Sequence, residues 1–227
     1  MSDEEKNLDI MAKASNYNKW IFEQIEPHLG DKILEVGSGV GSMTAFFDNK
    51  KVCCVDVNDN HIKALQKKYK CHKNITVVKT DLSRNHHKIK DTFDTIICIN
   101  ILEHVEDDMN MLVNFYPLLK KKGKLILMLP AFKKLYGTID EADNHYRRYN
   151  KKEIEQVLDI ADFKIKDVYY MNIIGAIGWY YHGKMLKLKT HNEGDIGLFD
   201  KLVPAISSIE KVIRPPFGLS LIVVCEK

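Results

Sequence analysis

The sequence lacks any long apolar run. No stretch approaches the roughly 18 consecutive apolar residues that a membrane-spanning helix needs. The opening residues, Met1 to Lys6, are mostly charged and lack the apolar segment of a secretory signal. Internal repeats and low-complexity linkers are also absent. We therefore expect a soluble, cytoplasmic protein whose 227 residues form one globular domain.

Cysteine is scarce, and its arrangement excludes two further classes. The chain has five cysteines, an odd number, and four of them lie in apolar, strand-like runs. It contains no Cys-x-x-Cys pair and no His/Cys cluster with metal-ligand spacing. We expect buried free thiols in a reducing compartment, neither a disulfide framework nor a metal site.

A strong charge of either sign is missing as well. The 34 basic and 31 acidic residues leave a net charge of +3, which is too balanced to indicate a nucleic-acid partner. Lysines occur in pairs and triples near the expected ends of helices and strands, as in Lys120-Lys121-Lys122. Such lysine clusters are typical of solvent-exposed helix and strand ends, so no nucleic-acid partner is expected.

Short apolar runs alternate with helical patterns along most of the chain. The strand candidates are 32–36, 51–56, 75–80, 93–100, 124–130, 163–171 and 219–224. Helical patterns occupy 58–69 and 106–119, and the second is expected to end before Lys122-Gly123, followed by a new strand. Because the first five runs are apolar on both faces, they indicate a doubly wound α/β fold with a mostly parallel, seven-stranded sheet and helices on both sides.

The last third contains three further helical segments. Asn150 with Glu153 predicts a capping-box-like helix start. An apolar segment at 173–181 and an amphipathic one at 196–213 separate the last two strands. Lysines follow the apolar segment, so it either completes a substrate pocket or makes peripheral contact with a membrane.

A glycine-rich turn follows the first strand, in Glu35-Val-Gly-Ser-Gly-Val-Gly41. Glycine permits positive φ and lets a ligand lie against bare backbone. Helix-compatible sequence follows at 43–47. We expect the turn to point amide N–H groups and a positive helix end at a polar or anionic ligand, which makes 33–47 a predicted cofactor site.

Polar residues follow the next three strands, where ligands bind in open α/β sheets. Asp56 ends the second strand and is placed to accept hydrogen bonds from ribose hydroxyls, as in NAD enzymes and other adenosine-binding proteins. Asp81 follows the third strand, and Asn100 ends the fourth. The third glycine of the dinucleotide fingerprint is replaced by Ser42, which argues against NAD.

These four motifs, in this order, resemble those of class I S-adenosylmethionine-dependent methyltransferases over about residues 30–130. The resemblance implies a Rossmann-like fold with an antiparallel last strand, S-adenosylmethionine as cofactor and S-adenosylhomocysteine as product. It also implies the cofactor-binding roles. Backbone at Gly37, Ser38 and Gly39 is expected to bind the methionine part of the cofactor, and Asp56 the ribose. Val57, Asp81 and Leu82 are expected to contact the adenine. Asn100 is expected to approach the amino group near the sulfonium, and Glu35 to orient the turn.

A second block, from Leu135 to Tyr149, resembles a bacterial subgroup of small-molecule methyltransferases often linked to glycan or secondary-metabolite pathways. We expect one methyltransferase domain over 1–227, with an N-terminal helical cap at 1–28. Substrate-side lid segments are expected at 131–150 and 173–213.

Methyl transfer to a hydroxyl or amine needs a base with a pKa near 7, and two histidines are candidates. They are His104, after the fourth strand, and His145, in the second block. Arg147 and Arg148 could pair with an acceptor carboxylate or phosphate. The same residues also have structural interpretations, since His104 could cap a helix and the arginines could bridge a loop. The side chains expected to line the acceptor pocket are Tyr136 and Tyr146.

The leading hypothesis is a methyltransferase acting on oxygen or nitrogen of a small molecule, as a monomer or homodimer. An NAD-dependent oxidoreductase is opposed by Ser42 and by the missing Tyr-x-x-x-Lys pair. An RNA methyltransferase acting on amino groups is expected to carry an Asn/Asp-Pro-Pro-aromatic motif, and Asn100-Ile-Leu-Glu103 contains no proline. A non-catalytic cofactor-binding subunit is the fourth alternative.

Overall fold

One sheet of seven strands forms the centre of the computed structural model, which describes residues 3–227. The strands are β1 Lys32–Val36, β2 Lys51–Asp56, β3 Ile75–Lys79, β4 Phe93–Ile99, β5 Leu119–Pro130, β6 Lys164–Met171 and β7 Ser220–Glu226. Their spatial order is β3-β2-β1-β4-β5-β7-β6. The first five pair in parallel, and β7 runs antiparallel to both of its neighbours. The predicted Rossmann-like fold is confirmed.

Helices cover both faces of this sheet. They are α1 Asp3–Ala12, α2 Ser15–Ile25, α3 Asp59–Lys68, α4 Asp108–Leu118, α5 Thr138–Ala142, α6 Lys151–Ile160, α7 Ile173–Trp179 and α8 Glu193–Ile213. A π-helical turn, Tyr180–Met185, continues α7. Met1 and Ser2, the first residues of the expected N-terminal cap, lie outside the described residues.

Neighbouring residues of the central strands pack into two separate cores. Ile33 lies in the core that also contains Trp20 of α2, whereas Leu34 lies in the core beneath α4 and α6. In β5, Leu125 likewise lies in the core beneath α4 and α6, and Ile126 lies in the core that contains Trp20. Strands buried on both faces explain why the sequence shows continuous apolar runs rather than alternation.

Helix α8 closes one end of the molecule by capping two other helices. The carboxylate of Asp200 accepts hydrogen bonds from the backbone N–H of Asn16 and Tyr17 in the first turn of α2, at 3.3 and 2.9 Å. Farther along α8, the carboxylate of Glu210 accepts from the N–H of Asn172 and Ile173 at the start of α7, at 2.7 and 2.8 Å. One helix therefore fixes both helical segments against the sheet.

Two local predictions have different outcomes. Helix α4 ends at Leu118, before Lys122-Gly123 as predicted, but the next strand begins at Leu119 rather than at 124 and continues through both residues. Asn150 precedes α6, but its side chain makes no capping hydrogen bond. Glu153, the expected partner in that capping box, instead accepts a hydrogen bond from Lys133 Nζ at 2.7 Å.

Apolar side chains remain exposed along α7 and the π-helical turn, including Ile177, Tyr180 and Met185. Within residues 3–227, no helix is both long and apolar enough to cross a bilayer. Peripheral membrane contact and a cytoplasmic location stay predictions.

Candidate active site

The glycine turn after β1 uses its amide groups within the protein. Gly37 and Ser38 donate their N–H groups to the carbonyl oxygen of Val55, at 2.8 and 3.0 Å, and the Gly39 N–H donates to Asp56 Oδ2 at 2.8 Å. The expectation that the turn points these amides at a ligand is therefore wrong. Because these N–H groups are already hydrogen-bonded within the protein, the turn offers a ligand carbonyl oxygens instead. Carbonyl oxygens suit an ammonium group better than an anion.

The helix expected behind the turn is also absent. Only a short 3₁₀ segment, Thr44–Phe46, follows. Thr44 is held from below, because its hydroxyl donates to Glu35 Oε2 at 2.6 Å, and Phe47 is buried in the core. These two anchors fix the segment as a tight turn, so no helix dipole contributes here.

Glu35 lies buried beneath the turn and does not line the cavity beside it. Besides Thr44, the Sγ of Cys54 contacts its Oε2 at 3.6 Å, and Ser38 Oγ donates to its backbone carbonyl at 3.1 Å. Burial raises the pKa of Glu35 from 4.5 to about 7. The side chain is thus held beneath the turn by Thr44 and Cys54, and its role in orienting the turn stays a prediction.

Two carboxylates border the next part of the cavity. Asp56 Oδ1 accepts from the N–H of Asn58 at 2.8 Å, and Val57 beside it is 62% exposed. Asp81 accepts from the N–H and the hydroxyl of Ser83, at 2.9 and 2.6 Å, and Leu82 is buried. Carboxylates flanking an exposed aliphatic surface suit a ribose and a purine ring.

Asn100 lies at the end of β4, opposite the glycine turn. Its φ is +50°, a conformation that asparagine tolerates better than most residues. Its N–H donates to the carbonyl of Met128 at 2.9 Å, and its exposed side chain borders the cavity. Ile101 follows and packs against Gly37, where an added Cβ would lie 2.0 Å from Ile101 Cδ1.

The two candidate histidines meet across the cavity wall. Their ring centroids are 4.7 Å apart, with the planes at 85°. Burial and the neighbouring His145 lower the pKa of His104 to about 4. Burial alone would lower the pKa of His145, but its hydrogen bond to Asp140 and the nearby Glu103 raise that pKa above its ordinary value. The pair therefore contains one neutral imidazole and one that holds a proton more readily.

The glycine turn, the polar residues at the strand ends and the two histidines open into one cavity of about 770 Å³. Its walls combine the ends of the strands with α1, α2, α7 and the start of α8. The predicted site residues that line it are Gly37, Gly39, Asp56, Val57, Asp81, Leu82, Asn100, His104, His145, Tyr146 and Arg148. The volume lies within the range of small-molecule sites, and the turn and the histidine pair share it.

Comparisons with known proteins agree with this geometry. Residues 34–125 match a family described as "Methyltransferase domain". An uncharacterised protein of Methanocaldococcus jannaschii is 29% identical over 150 residues, 64% of this chain and 61% of the relative, so less than two thirds of that relative is spanned. A ubiquinone biosynthesis O-methyltransferase of Rickettsia typhi is 23% identical over 222 residues, 86% of this chain and 84% of the relative.

Among solved structures, a SAM-dependent methyltransferase from Archaeoglobus fulgidus matches with a TM-score of 0.61 and 18% identity, and the match covers 94% of both chains. An identity this low establishes the fold alone, but the matched family adds the kind of domain. This chain carries a methyltransferase domain, matched over residues 34–125, on a Rossmann-like fold. S-adenosylmethionine, the cofactor expected from the motifs, is bound in the solved structure of a phosphoethanolamine N-methyltransferase 2 from Haemonchus contortus, which matches with 18% identity and a TM-score of 0.62 over 93% of this chain and 52% of that chain.

The residues of this methyltransferase fit the cofactor. A Cβ added to Gly39 would meet no atom within 4 Å, so the backbone is open to the cavity there. Gly37, Gly39 and Asp56 line the cavity, and Val57 offers an exposed apolar surface beside them. Ser38 is buried and does not line the cavity, so of the three turn residues expected to bind the methionine part only Gly37 and Gly39 border the space for a ligand.

Asp140 is a site residue of the methyltransferase that the sequence did not single out. Its carboxylate accepts from His145 Nδ1 at 2.9 Å and from Arg148 Nε at 2.7 Å. It also accepts from Trp179 Nε1 at 3.1 Å and from the N–H of Gly137 at 2.9 Å. Burial opposes ionisation, but these donors lower the pKa of Asp140 below its ordinary value. The sequence feature that could have identified Asp140 is its position five residues before His145 in the second block.

Glu103 is the second residue that sequence reasoning missed, although it lies directly before His104. The side chain is fully buried, and neither carboxylate oxygen has a hydrogen-bond partner among residues 3–227. Its backbone carbonyl accepts from the N–H of Tyr146 at 2.8 Å, which joins the motif after β4 to the second block. Burial raises the pKa of Glu103 to about 7.

The remaining predicted acceptor residues divide into two groups. Tyr146 is 56% exposed at the cavity, and Arg148 is buried, with its Nη1 donating to the carbonyl of Ala131 at 3.0 Å. Tyr136 and Arg147 lie outside the cavity wall. Tyr136 donates to the carbonyl of His145 at 2.8 Å, and Arg147 pairs with Asp108 at 2.7 Å. The last two therefore hold the loop that carries His145.

Proposed function

We propose that this chain transfers a methyl group from S-adenosylmethionine to an oxygen or nitrogen atom of a small molecule. One observation carries the proposal: the glycine turn and the histidine pair open into the same cavity. The O-methyltransferase of Rickettsia typhi, which is similar over 86% of this chain, supports an acceptor of small size. The walls from α1, α2, α7 and α8 give that acceptor an enclosed compartment.

The cofactor roles proposed for the chain follow the strand ends. Backbone at Gly37, Ser38 and Gly39 binds the methionine part, Asp56 binds the ribose, and Asn100 approaches the amino group. Val57 and Leu82 border the adenine, and Asp81 accepts from its amino group. Glu35 orients the turn. When bound, the cofactor supplies a methyl group already activated by a sulfonium, so the protein has mainly to align the acceptor and exclude water.

The acceptor side is assigned to the other half of the cavity. His104 and His145 handle the proton of the acceptor, with Asp140 and Arg148 fixing the orientation of His145. Tyr146 borders the entrance. Segments 131–150 and 173–213 act as the lid, and 1–28 as the helical cap, within a single domain over 1–227. We expect a monomer or homodimer with no nucleic-acid partner.

The test is a screen of hydroxyl and amine acceptors with S-adenosylmethionine, with release of S-adenosylhomocysteine as the readout. His145→Asn is expected to lower turnover at least about a hundredfold and to leave cofactor affinity within about twofold, because it alters only the acceptor side. His87→Asn, on the surface, is the matched control. Cofactor binding that is lost together with turnover would contradict the division of the cavity into two halves.

A further inference from the structure

We propose that Glu103, His104 and His145 together bind one divalent transition-metal cation. Each side chain offers one ligand atom, and these atoms all lie within 4.8 Å of one another. Ligands of a tetrahedral zinc ion, at bonds of about 2.1 Å, lie about 3.4 Å apart. Small side-chain rotations therefore bring all three onto a common cation at the inner wall of the cavity.

Glu103 provides independent evidence for a ligand. Its side chain is fully buried, borders the cavity, and has no hydrogen-bond partner for either carboxylate oxygen within the described chain. A buried carboxylate without a partner is destabilising. Arg148 donates through Nε to Asp140 and through Nη1 to Ala131, and its buried Nη2 makes no hydrogen bond to Glu103 or to any other group within the described residues. A bound cation gives the Glu103 carboxylate a partner without any change in the fold.

Both histidines are already held as metal-binding histidines usually are. Nδ1 of His145 is bonded to Asp140 Oδ1 at 2.9 Å, which leaves Nε2 as the ligand atom. The ring of His104 hydrogen-bonds to the backbone of Asp143. An imidazole fixed through one nitrogen by a carboxylate or carbonyl binds a metal through the other, and such partners set the tautomer and orientation of the ring.

The ligand set indicates the kind of cation. Two imidazoles and one carboxylate suit Zn²⁺, Co²⁺ or Fe²⁺ better than Mg²⁺ or Ca²⁺, which prefer oxygen ligands. With Glu103 ionised, Glu103 and Asp140 carry two negative charges and Arg148 one positive charge, so the cluster without a cation is net negative when both histidines are neutral. The inference rests on the proposed function, with the two histidines then acting on the acceptor through the cation rather than as free bases. It favours a hydroxyl acceptor, since a cation polarises a hydroxyl and repels an ammonium group.

The test is a titration of the full chain with Co²⁺ after removal of metal by a chelator, without cofactor or acceptor. We expect one equivalent to give the visible absorption bands of nitrogen and oxygen ligands, and Zn²⁺ to displace it. Glu103→Gln and His145→Gln are each expected to weaken binding at least about tenfold. The matched control is the double variant His86→Gln/His87→Gln, because these rings lie 3.8 Å apart outside the cluster.

Three results would overturn the proposal: no saturable Co²⁺ binding, binding that survives both cluster variants, or a thiolate charge-transfer band that places the cation on a cysteine. Circular dichroism of each variant shows whether it has folded, and the wild-type titration decides the question even where a variant has not. The readout needs no methyl transfer. A chain that binds Co²⁺ but transfers no methyl group therefore counts against the proposed function and not against the cation site. A chain that transfers methyl groups but does not bind Co²⁺ counts against the cation site and not against the proposed function.

Discussion

At the scale of single residues, Glu35 makes the stability of the chain depend on pH. Its pKa is raised from 4.5 to about 7 in the folded chain, so the folded state favours the protonated form. This contribution is complete below pH 4.5 and is lost as pH rises through about 7. Relative to Glu35→Gln, which cannot ionise, wild type is expected to lose roughly 3 kcal/mol of stability between pH 4 and pH 8.

Urea denaturation of both proteins across this range measures that loss. The substitution keeps the shape of the side chain, and Thr44 can still donate to its carbonyl oxygen. A difference in the free energy of unfolding that stays constant with pH would show that Glu35 ionises normally.

Gly37 and Gly39 form a matched pair for locating the cofactor. Both have positive φ, +71° and +52°. A Cβ at Gly37 would collide with Ile101, whereas at Gly39 it would project into open cavity. Gly37→Ala is therefore expected to cost about 2–3 kcal/mol of stability, and Gly39→Ala only about 1 kcal/mol of backbone strain.

Calorimetric titration with S-adenosylhomocysteine separates the two effects. Gly39→Ala is expected to weaken binding at least about tenfold, because the new methyl group occupies the space of the ligand, at a cost above about 1.4 kcal/mol. Wild-type affinity in Gly39→Ala would place the cofactor elsewhere in the cavity.

Residues adjacent to a strand end could be assigned from the sequence, but their contacts could not. Asp56 and Asn100 lie where the end of a parallel strand must lie, so their position follows from the fold. Glu103 is joined by a backbone hydrogen bond to Tyr146, which comes from a distant loop, and nothing near Glu103 in the sequence indicates this contact. Asp140 receives its donors from α7 and from the second block, and no local pattern indicates that convergence.

At the scale of elements, α8 holds α2 by capping it with the carboxylate of Asp200 and by pairing Lys211 with Glu23 at 2.8 Å. Asp200→Ala removes the acceptor for the first-turn N–H groups of α2 and is expected to cost about 1–2 kcal/mol of stability. Tyr17 borders the cavity and packs edge-on against Phe199, so release of α2 is also expected to raise KM more than it lowers kcat.

Thermal unfolding and steady-state kinetics measure both effects, and Lys201→Ala, on the neighbouring exposed residue, is the control. Equal effects of the two substitutions would mean that α2 is held by its apolar face alone, through Trp20, Ile21 and Ile25.

The first and last residues of a strand or helix could be predicted where the burial of apolar side chains determines them. They could not be predicted where polar side chains form hydrogen bonds that compete with a helix or a helix cap. Strands β1 and β2 have the limits that their apolar runs predict. Met43 to Phe47 has helix-compatible composition, yet Thr44 bonds to Glu35 and the segment closes as a 3₁₀ turn. Glu153 pairs with Lys133 rather than with its helix start. Both competing partners are distant in sequence, which is why propensity alone gave the wrong result.

At the scale of the whole molecule, the order of motifs along the chain was the strongest signal. Parallel strands bring their carboxyl ends to one edge of the sheet, so Gly37, Asp56, Asp81 and Asn100 had to converge on one side. The cavity confirms that convergence. Segments 131–150 and 173–213, which we propose for the acceptor half, are placed by long-range contacts such as that of Asp200 with α2, so these walls could not be derived from periodicity.

Because the cavity joins the sheet to the helices around it, the cofactor is expected to stabilise both. A ligand that binds only the folded chain adds about 2.7 kcal/mol at a concentration one hundred times its Kd. S-adenosylhomocysteine should therefore raise the melting temperature of the chain and slow hydrogen exchange in α1, α2 and α7, which contribute wall residues. NAD at the same concentration is the control, since it shares the adenosine part but lacks the methionine part. Protection limited to the strand ends would mean that the helical walls are independent of the cofactor, and an equal effect of NAD would mean that the turn does not select the methionine group.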